Sequence, residues 1–199
     1  MTDAERAYYA QRAPEYDDFY LGTGLYSARS RPGWHEEVEA LQAVVASLRA
    51  GKVLDVACGT GFLTRHLKGR VIATDQSQAM LAIARARLPR GAVVQADAFR
   101  LPFPARCFDT LVTGHFYGHL DGSDRARFLA EARRVAGGLV VIDAAFREEF
   151  PAESVQERVL NDGSRHTVYK RYFTPEQLLA ELGGGRVLHA GRWFVAVAG

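Results

Sequence analysis

The sequence contains little cysteine, and this scarcity excludes several classes of protein. Only two cysteines occur among 199 residues, too few for the disulfide framework of a small secreted domain. Cys58 and Cys107 stand in or beside apolar stretches, so we expect two small buried thiols rather than a disulfide or a set of metal ligands. Free thiols are typical of a reducing compartment, and we therefore expect a cytoplasmic protein.

Long apolar runs are missing as well. No stretch approaches the roughly 18 uninterrupted apolar residues of a membrane-spanning helix. The first residues, Met-Thr-Asp-Ala-Glu-Arg, lack the basic flank and the apolar segment of an export signal. These absences predict a chain with no membrane span.

Neither charge sign is in large excess. The formal net charge is +2, whereas proteins that follow a phosphate backbone need many clustered cations, so nucleic acid is not an expected partner. Hydrophobic residues make up 48% and charged residues 24% of the chain, which is typical of folded globular proteins and argues against disorder. With no linker and no internal repeat, residues 1–199 are expected to form a single domain.

One stretch, Lys52 to Gly61, organises the rest of the chain. Val53, Leu54 and Val56 predict a strand buried on both faces, as in the centre of a parallel sheet. Gly59 and Gly61 follow, and two glycines there let the backbone turn sharply and approach a ligand closely. We expect a helix over residues 62–67 whose free N–H groups face the negative end of a cofactor.

A second acidic residue narrows the choice of cofactor. Asp75 closes an apolar strand over residues 71–74 and lies 20 positions after Asp55, where an α/β nucleotide-binding fold places a carboxylate against ribose hydroxyls. NAD and S-adenosyl-L-methionine (SAM) both fit this pattern. A dinucleotide fingerprint needs a third glycine where this chain has Thr64, and its absence weakens the pyrophosphate interpretation.

Strands and helices alternate along the chain, which predicts right-handed crossovers and a doubly wound sheet of the Rossmann type. Ser77, Asp121 and Thr174 are expected to cap helices, while Pro89, Gly137-Gly138 and Gly183 are expected to end them. The expected helices span residues 36–50, 77–88, 121–135 and 174–182, and the expected strands span residues 52–56, 71–74, 92–95, 108–113, 139–143, 187–189 and 193–197.

Four segments in order carry a resemblance to a known family. The chain resembles the class I SAM-dependent methyltransferases, in particular the small-molecule branch that includes the ubiquinone and menaquinone methyltransferases, over about residues 50–145. Ala57 is a departure, because the family usually has glycine there. The motifs are Val-Leu-Asp-Val-Ala-Cys-Gly-Thr-Gly (53–61), Ala-Thr-Asp-Gln-Ser-Gln-Ala-Met-Leu (73–81), Gln-Ala-Asp-Ala-Phe-Arg-Leu-Pro-Phe (95–103) and Phe-Asp-Thr-Leu-Val-Thr-Gly-His-Phe-Tyr-Gly-His-Leu (108–120).

The resemblance implies SAM as cofactor, S-adenosyl-L-homocysteine (SAH) as product, a small-molecule substrate and a seven-stranded sheet whose last strand is antiparallel. By resemblance, Asp75 holds the ribose, Asp97 accepts the adenine amino group, and the Ala98 amide meets a ring nitrogen. The other implied cofactor contacts are Asp55, Ala57, Cys58, Gly59, Gly61, Gln76, Met80 and Thr113. A monomer or a homodimer is expected.

Methyl transfer asks little covalent work of a protein, because a sulfonium leaving group already makes the methyl electrophilic. We therefore expect neither a nucleophilic residue nor a metal, although His115, His119 and Asp121 could be drawn as a metal site. The candidates for a general base, or for a residue that positions the acceptor, are His115, Tyr117 and Tyr16.

The remaining segments leave alternatives open. Residues 1–50, whose first 33 are rich in tyrosine and arginine, form either helices packed over the sheet edge or a lid, and residues 51–145 form the SAM-binding core. Residues 146–173 lose periodicity and form either the substrate segment or a solvated connection, and residues 174–199 form a helix and hairpin.

Three other functions share some of these features. A noncatalytic SAM-binding protein would keep the cofactor motifs, and an NAD(P)-dependent enzyme would share the fold and Asp75. A nucleic-acid amino-methyltransferase would, by resemblance, carry Asn or Asp, two prolines and an aromatic residue after the fourth strand, where this chain has Thr113-Gly114-His115-Phe116. The acceptor atom stays open among oxygen, nitrogen, carbon and sulfur.

Overall fold

The structure is a computed structural model that describes residues 3–88 and 91–199. The helices are α1 (Asp3–Arg12), α2 (Asp18–Leu21), α3 (Trp34–Ser47), α4 (Gln78–Arg87), α5 (Gly122–Val135) and α6 (Pro175–Leu182). The strands are β1 (Gly51–Val56), β2 (Gly69–Asp75), β3 (Ala92–Gln95), β4 (Phe108–Gly114), β5 (Ala136–Ala144), β6 (Glu153–Val159), β7 (Arg165–Arg171), β8 (Arg186–Ala190) and β9 (Phe194–Ala198). Pro89, which was expected to end α4, lies outside the described residues.

Seven strands form one sheet in the order β3-β2-β1-β4-β5-β9-β8. Strands β1 to β5 pair in parallel, and β9 lies antiparallel between β5 and β8. The predicted seven-stranded sheet with an antiparallel C-terminal strand is therefore confirmed. The strand order reverses between β1 and β4, and open α/β sheets bind ligands in the crevice beyond the carboxyl ends of the strands at such a point.

Apolar residues on both faces of the sheet account for its layers. Val53 and Leu54 are adjacent in β1 and pack into different core clusters, because successive side chains of a strand point to opposite faces. One cluster includes Phe128 of α5 and Leu178 of α6, and the other includes Leu41 of α3. Helices thus cover both faces, as the sequence predicts.

Three helix starts agree with the sequence prediction in chemical detail. The side chains of Ser77 and Asp121 accept hydrogen bonds from the backbone N–H groups of residues 80 and 124, respectively. Thr174 and Gln177 form a capping box at α6, and Gly183 ends that helix in the left-handed conformation. Local side-chain chemistry therefore sets these boundaries.

Two local expectations were wrong. The helix expected over residues 62–67 is a single 3₁₀ turn, Thr64–His66, because β2 already begins at Gly69 and leaves too little chain for a longer helix. Gly137 and Gly138 do not end α5 in a loop, since they lie within β5, which begins directly after the helix.

The segment without periodicity is an antiparallel hairpin of β6 and β7. No strand was expected from the sequence within residues 146–173, so this hairpin is an element that the sequence pattern missed. Its alternation is hard to see in the sequence because Val155 and Val159 are exposed, whereas Lys170 is buried. A charged residue on the inner face and apolar residues on the outer face hide the usual strand pattern.

Both cysteines are free, as expected, but each is half-buried rather than buried. In the described part of the chain, no helix has the length and apolar character needed to cross a membrane. Residues 3–88 and 91–199 also contain no group of three or more His, Cys, Asp or Glu side chains arranged to hold a metal ion.

Asp143 at the end of β5 ties the hairpin to the sheet. Its fully buried carboxylate lies 2.5 Å from Lys170 Nζ and accepts a hydrogen bond from the Gly118 backbone N–H at 2.7 Å. Burial raises the pKa of Asp143, but the charge and hydrogen bond of Lys170, together with the nearby rings of His115 and His119, outweigh this effect and leave that pKa below its usual value. This ion pair joins β5, β7 and the loop after β4.

We expect Lys170→Met to lower the free energy of unfolding by about 3–5 kcal/mol, because it leaves a buried carboxylate without a counter-charge. Urea denaturation measures this change. Lys68→Met, at an exposed lysine, is the matched control and should have little effect. The double variant Lys170→Met/Asp143→Asn should recover part of the loss, and a single variant as stable as wild type would contradict the assignment.

Candidate active site

A first cavity of about 110 Å³ lies beyond the carboxyl ends of β1, β2 and β4. Val56 and Ala57 line it from β1 and the turn after it, Asp75 lines it from the end of β2, and Gly114 lines it from the end of β4. The cavity therefore occupies the crevice that the reversal of strand order creates.

Asp75 presents a carboxylate to this cavity. Its two oxygens accept hydrogen bonds from the backbone N–H groups of Gly59 at 3.0 Å and Ser77 at 2.8 Å, which fix the orientation of the side chain. Burial raises the pKa of Asp75, although these backbone hydrogen bonds oppose the rise. Each carboxylate oxygen has a second lone pair, so Asp75 can still accept hydrogen bonds from hydroxyl groups of a ligand.

Beside Asp75, the wall of the first cavity is largely apolar. Met80, Ala98 and Phe99 line it, and Gln76 provides an amide at the same wall. Flat aromatic ligands bind in slots of this kind, with a few polar groups fixing their orientation. A carboxylate for hydroxyl groups next to an apolar slot for a ring suits an adenosyl group, so the residues present fit SAM.

The turn between β1 and β2 explains the glycine pattern. Gly59 has φ +55, and a Cβ there would come within 3.2 Å of the Tyr16 ring. Gly61 has φ +76 and packs against Ala84 of α4. Ala57 also has a positive φ, of 58, so this position favours the glycine that the resembled family has there.

Residues 13–21 cover the glycine turn. The Thr60 hydroxyl donates a hydrogen bond to Asp17 at 2.5 Å, and Arg87 of α4 forms an ion pair with the same carboxylate at 2.5 Å. Tyr16 lines the first cavity beside Gly59. The N-terminal segment thus lies over the candidate cofactor site rather than only at a sheet edge.

A second, larger cavity adjoins the first. Its volume is about 460 Å³, within the range of about 300–1,000 Å³ that small-molecule sites usually have, whereas the first cavity is below that range. Tyr9, Tyr16, His115 and His119 line both cavities. These four residues, which we term the shared wall, lie where ligands in the two cavities would meet.

His115 has two unusual features. Its backbone φ is +56, a strained conformation that is uncommon for a residue with a side chain and is often found at functional sites. The ring is surrounded by Phe19, Tyr20 and Phe194, and its buried Nε2 has no hydrogen-bond partner. Burial lowers the pKa of His115 to about 4, so the ring is neutral near pH 7.

His119 is also neutral, and its tautomer can be assigned. Nδ1 lies 2.8 Å from the Tyr169 carbonyl oxygen, and since a carbonyl only accepts, Nδ1 carries the proton. Nε2 is therefore left as a hydrogen-bond acceptor. Burial, with the charge of Lys170, lowers the pKa of His119 to about 3.

Of the sequence-predicted site residues, those that line the first cavity are Tyr16, Ala57, Gly59, Asp75, Gln76, Met80, Ala98 and His115. Asp55, Cys58 and Gly61 do not line it, and Asp55 and Cys58 instead border a small void under the glycine turn. Asp97 is exposed outside the lining and accepts hydrogen bonds from Gln76 and the Phe99 backbone.

Tyr117 and Thr113, two further predicted site residues, are buried in the core and line neither cavity. The Tyr117 ring is fully buried in the core, and its hydroxyl donates a hydrogen bond to Glu181 of α6 at 2.6 Å. It lines neither cavity, so the structure does not support a catalytic role for it. Thr113 is fully buried and donates a hydrogen bond to the Val56 carbonyl, which makes it a link between β4 and β1.

Sequence reasoning did not single out Tyr9 or His119 as individual site residues. The cations of the second cavity belong mostly to the two segments that it did consider for ligand binding, the possible lid and the possible substrate segment. His119 had been considered only as a metal ligand. Tyr9 and Arg12 lie three positions apart on α1, a spacing that places two side chains on one helix face. That signal indicated a common face but not the cavity that it borders.

Comparison with known proteins gives a consistent result. A family model described as a methyltransferase domain matches residues 54–142. The chain is 37% identical over 118 residues to demethylmenaquinone methyltransferase of Thermotoga maritima, which covers 55% of this chain and 49% of that protein. It is 39% identical over 123 residues to the ubiquinone/menaquinone biosynthesis C-methyltransferase of Burkholderia vietnamiensis, covering 55% and 50%. The chain thus spans about half the length of the curated relatives it matches.

Two solved structures extend the similarity over 98% of the chain. The complex of DhpI with SAM and HEP has a TM-score of 0.78 and 27% identity, covering 98% of this chain and 95% of that one. The DhpI–SAH complex has a TM-score of 0.74 and 28% identity, covering 98% and 94%. A glycopeptide N-methyltransferase, MtfA, shares the fold at a TM-score of 0.59 and 23% identity, covering 80% and 91%.

We expect stability to depend on pH through Asp55. Burial, and to a lesser degree the charge of Asp75, raise the pKa of Asp55 to about 7 against the opposing hydrogen bond from Thr64. Because the unfolded chain releases this proton near the ordinary pKa of about 3.9, the folded state binds more protons between about pH 4 and 7. The stabilising contribution of Asp55 to the free energy of unfolding is therefore fully present below about pH 4 and is lost as the pH rises to about 7.

The measurement compares wild type with Asp55→Asn by urea denaturation between pH 4 and 8. The stability of wild type relative to the variant should fall as the pH rises, by up to about 1.4 kcal/mol per pH unit, and level off above pH 7. A difference that does not change with pH would contradict the raised pKa of this carboxyl group.

Proposed function

We propose that this chain, which belongs to the class I SAM-dependent methyltransferase family, is an enzyme that transfers a methyl group from SAM to a small-molecule acceptor. The family membership agrees with the matched domain, the seven-stranded sheet and the similarity to DhpI over nearly the whole chain.

The shared wall is the observation that carries this proposal. A group-transfer enzyme must hold two reactants at near-attack distance, and most of its rate enhancement can come from that positioning. Two adjoining cavities provide two binding places, and Tyr16 and His115 border both of them. A protein that only binds SAM would not need the second cavity at this wall, which favours the catalytic reading over a noncatalytic one.

In this proposal the first cavity holds the adenosyl group. Asp75 accepts hydrogen bonds from the ribose hydroxyls, and Met80, Ala98 and Phe99 pack against the adenine. When bound, SAM supplies an electrophilic methyl carbon, and the lone pair of the acceptor forms the new bond in line as the carbon–sulfur electron pair leaves with sulfur in the product SAH. Asp55 supports the glycine turn from below through its hydrogen bond with Thr64.

The residues of the shared wall position the acceptor and keep water out. Burial raises the pKa of both Tyr9 and Tyr16, so the two phenols stay protonated and can donate hydrogen bonds. The pKa of His115 is about 4, and such a neutral ring is a weak base near pH 7. We therefore assign His115 to holding the acceptor through its free Nε2 rather than to removing a proton.

The N-terminal segment acts as a lid in this proposal. Because the first cavity is smaller than usual ligand sites, Tyr16 and residues 13–21 must move outward for the cofactor to enter. The hydrogen bond between Asp17 and Thr60 and the ion pair between Asp17 and Arg87 would close the lid again. The hairpin of β6 and β7 contributes Arg158 and Lys170 to the second cavity, which supports residues 146–173 as the substrate segment.

An NAD-dependent enzyme is less well supported. Dinucleotide sites place a pyrophosphate at the N-terminus of a helix that follows the glycine turn. Here the turn is followed by one 3₁₀ turn, Thr64–His66, and the buried Thr64 hydroxyl donates to Asp55. In this proposal the protein acts in the cytoplasm, where its two free cysteines stay reduced. It acts as a monomer or homodimer on a small-molecule acceptor, without a nucleic-acid partner.

We expect Asp75→Ala to weaken SAH binding tenfold or more while the fold stays intact. Hydrogen bonds to a charged acceptor contribute about 1.5–3 kcal/mol each, and the variant removes the carboxylate that faces the ribose. Isothermal titration calorimetry with SAH measures the dissociation constant, and circular dichroism checks the fold.

Asp162→Ala is the matched control, because Asp162 lies in the turn of the β6–β7 hairpin, lines neither cavity, and its loss should change SAH affinity far less. NAD, titrated in parallel, should not bind. Tighter binding of NAD than of SAH would overturn the cofactor assignment, and equal losses in the two variants would show that Asp75 has no special place in the site.

A second experiment tests His115. Incubation of purified protein with methyl-labelled SAM and a cell extract identifies the acceptor by the label it gains. We then expect His115→Asn, which tolerates the positive φ, to reduce turnover tenfold or more with SAH affinity retained. The wild-type rate should show no protonation step near the usual histidine pKa of about 6.5, since the His115 pKa is about 4. A step at that pH, lost in the variant, would instead identify His115 as a base.

A further inference from the structure

The second cavity carries a large excess of positive charge. Seven cationic side chains line it, against the single carboxylate of Glu149. The chain as a whole has a formal net charge of only +2, so this excess is a local concentration. The cations come from segments far apart in the chain: α1, the loop before α3, the β6–β7 hairpin, the loop after β5 and the loop before β9.

Carboxylates pair with only three of these cations. Glu149 lies 3.0 Å from Arg192 and 3.8 Å from Arg147, and Asp143 pairs with Lys170 at 2.5 Å. Among the side chains described for residues 6–88 and 91–199, no carboxylate lies within ion-pair distance of the other four cations. They are Arg12, Arg29, Arg31 and Arg158.

Aromatic rings fix two of the unpaired arginines without neutralising them. The Arg31 guanidinium carbon lies 3.7 Å from the centre of the Trp34 ring, and that of Arg29 lies 4.6 Å from the centre of the Tyr26 ring. A guanidinium stacked by its face keeps N–H donors in its plane, which matches the geometry of a carboxylate or phosphate. Burial and the neighbouring charge of Arg29 lower the pKa of Arg31, as expected for cations gathered without an anion.

Arg12 brings positive charge to the shared wall. Its guanidinium carbon lies 5.3 Å from the centre of the Tyr16 ring, and it donates hydrogen bonds to the hydroxyls of Tyr8 and Tyr26. Neutral hydroxyls accept a hydrogen bond without cancelling the charge. The electrostatic effect of Arg12 also reaches His115, whose pKa is lowered by burial and, in smaller part, by this cation.

Half-buried cations without a counter-charge are costly, since neutral hydrogen-bond partners replace only part of the hydration they lose. Arg12, Arg31 and Arg158 are all partly buried in one cavity. A negatively charged ligand would offset this cost, and the cavity volume of about 460 Å³ suits a small molecule rather than a macromolecule.

Building on the proposed function, we propose that the methyl acceptor carries an oxyanion, a phosphoryl, phosphonyl or carboxylate group, which Arg12, Arg31 and Arg158 bind in the second cavity. Arginine forks bind these groups through paired, charge-assisted hydrogen bonds. Arg12 holds the anion beside the shared wall, so the atom that receives the methyl group lies on or near the oxyanion-bearing end of the acceptor.

Binding of simple probes to the protein saturated with SAH tests this inference without knowledge of the acceptor. Calorimetry is carried out with phenylphosphonate, inorganic phosphate, benzoate and the neutral benzamide. We expect at least one oxyanion to bind with a dissociation constant in the millimolar range or below, more weakly at higher salt, and benzamide not to bind. Comparing the dissociation constants of phenylphosphonate, inorganic phosphate and benzoate shows which class of oxyanion the second cavity binds most tightly.

Two variants locate the binding site. Arg31→Gln and Arg158→Gln should each weaken binding of the oxyanion tenfold or more, because a charge-assisted hydrogen bond is lost. Arg65→Gln is the matched control, since Arg65 stacks on Phe62, 4.6 Å from its ring centre, and does not line the second cavity. Unchanged SAH affinity in all three variants shows that each has folded.

The outcomes separate this inference from the proposed function. If SAH binds and none of the oxyanions binds, or if benzamide binds as tightly as the best oxyanion, the inference fails while the proposed function stands. If oxyanions bind and the arginine variants lose them but SAH does not bind, the charged cavity is supported and the methyltransferase assignment fails. Equal losses in Arg65→Gln and the two test variants would also overturn the inference.

Discussion

The buried contact between Asp143 and Lys170 is the interaction on which the candidate site depends most. Asp143 ends β5, accepts the Gly118 backbone N–H from the loop that carries His115 and His119, and pairs with Lys170 of the β6–β7 hairpin. One carboxylate thus fixes the sheet, one side of the shared wall and the hairpin that borders the second cavity. A buried pair adds little net stability, because both partners lose hydration, but removing one partner is expensive. We infer that the pair holds the geometry of the site more than it stabilises the fold.

The site itself retains polar groups whose hydrogen-bonding or charge requirements the protein does not satisfy. His115 has a strained backbone and a buried Nε2 without a partner, and Arg31 is stacked on Trp34 with no carboxylate nearby among the described residues. Each feature costs free energy in the isolated fold. Such costs persist where a ligand offsets them, and their concentration around two adjoining cavities is the physical basis for placing two reactants there. Most of the core, by contrast, is apolar and well covered.

Elements that local chemistry dictates were predictable. Ser77 and Thr174 cap helices because their hydroxyls satisfy free N–H groups within three residues. Val53, Leu54 and Val56 of β1 are apolar and buried because both faces of the strand are covered. The expected helix over residues 62–67 was wrong because the short distance to β2 prevented it. The β6–β7 hairpin was missed because Lys170 points inward to Asp143, a partner 27 residues earlier that no local pattern reveals.

The sequence by itself determined the sheet, the glycine turn and the carboxylate of Asp75, since these follow from short-range spacing and hydrophobic pattern. It also marked His115 and Tyr16, which line both cavities. Only the tertiary structure decided that Tyr117 belongs to the core beside Glu181, that Tyr9 and His119 complete the shared wall, and that arginines from distant segments meet in one cavity. Contacts between residues far apart in the chain depend on how elements pack, and a single sequence read by spacing contains no direct record of that packing.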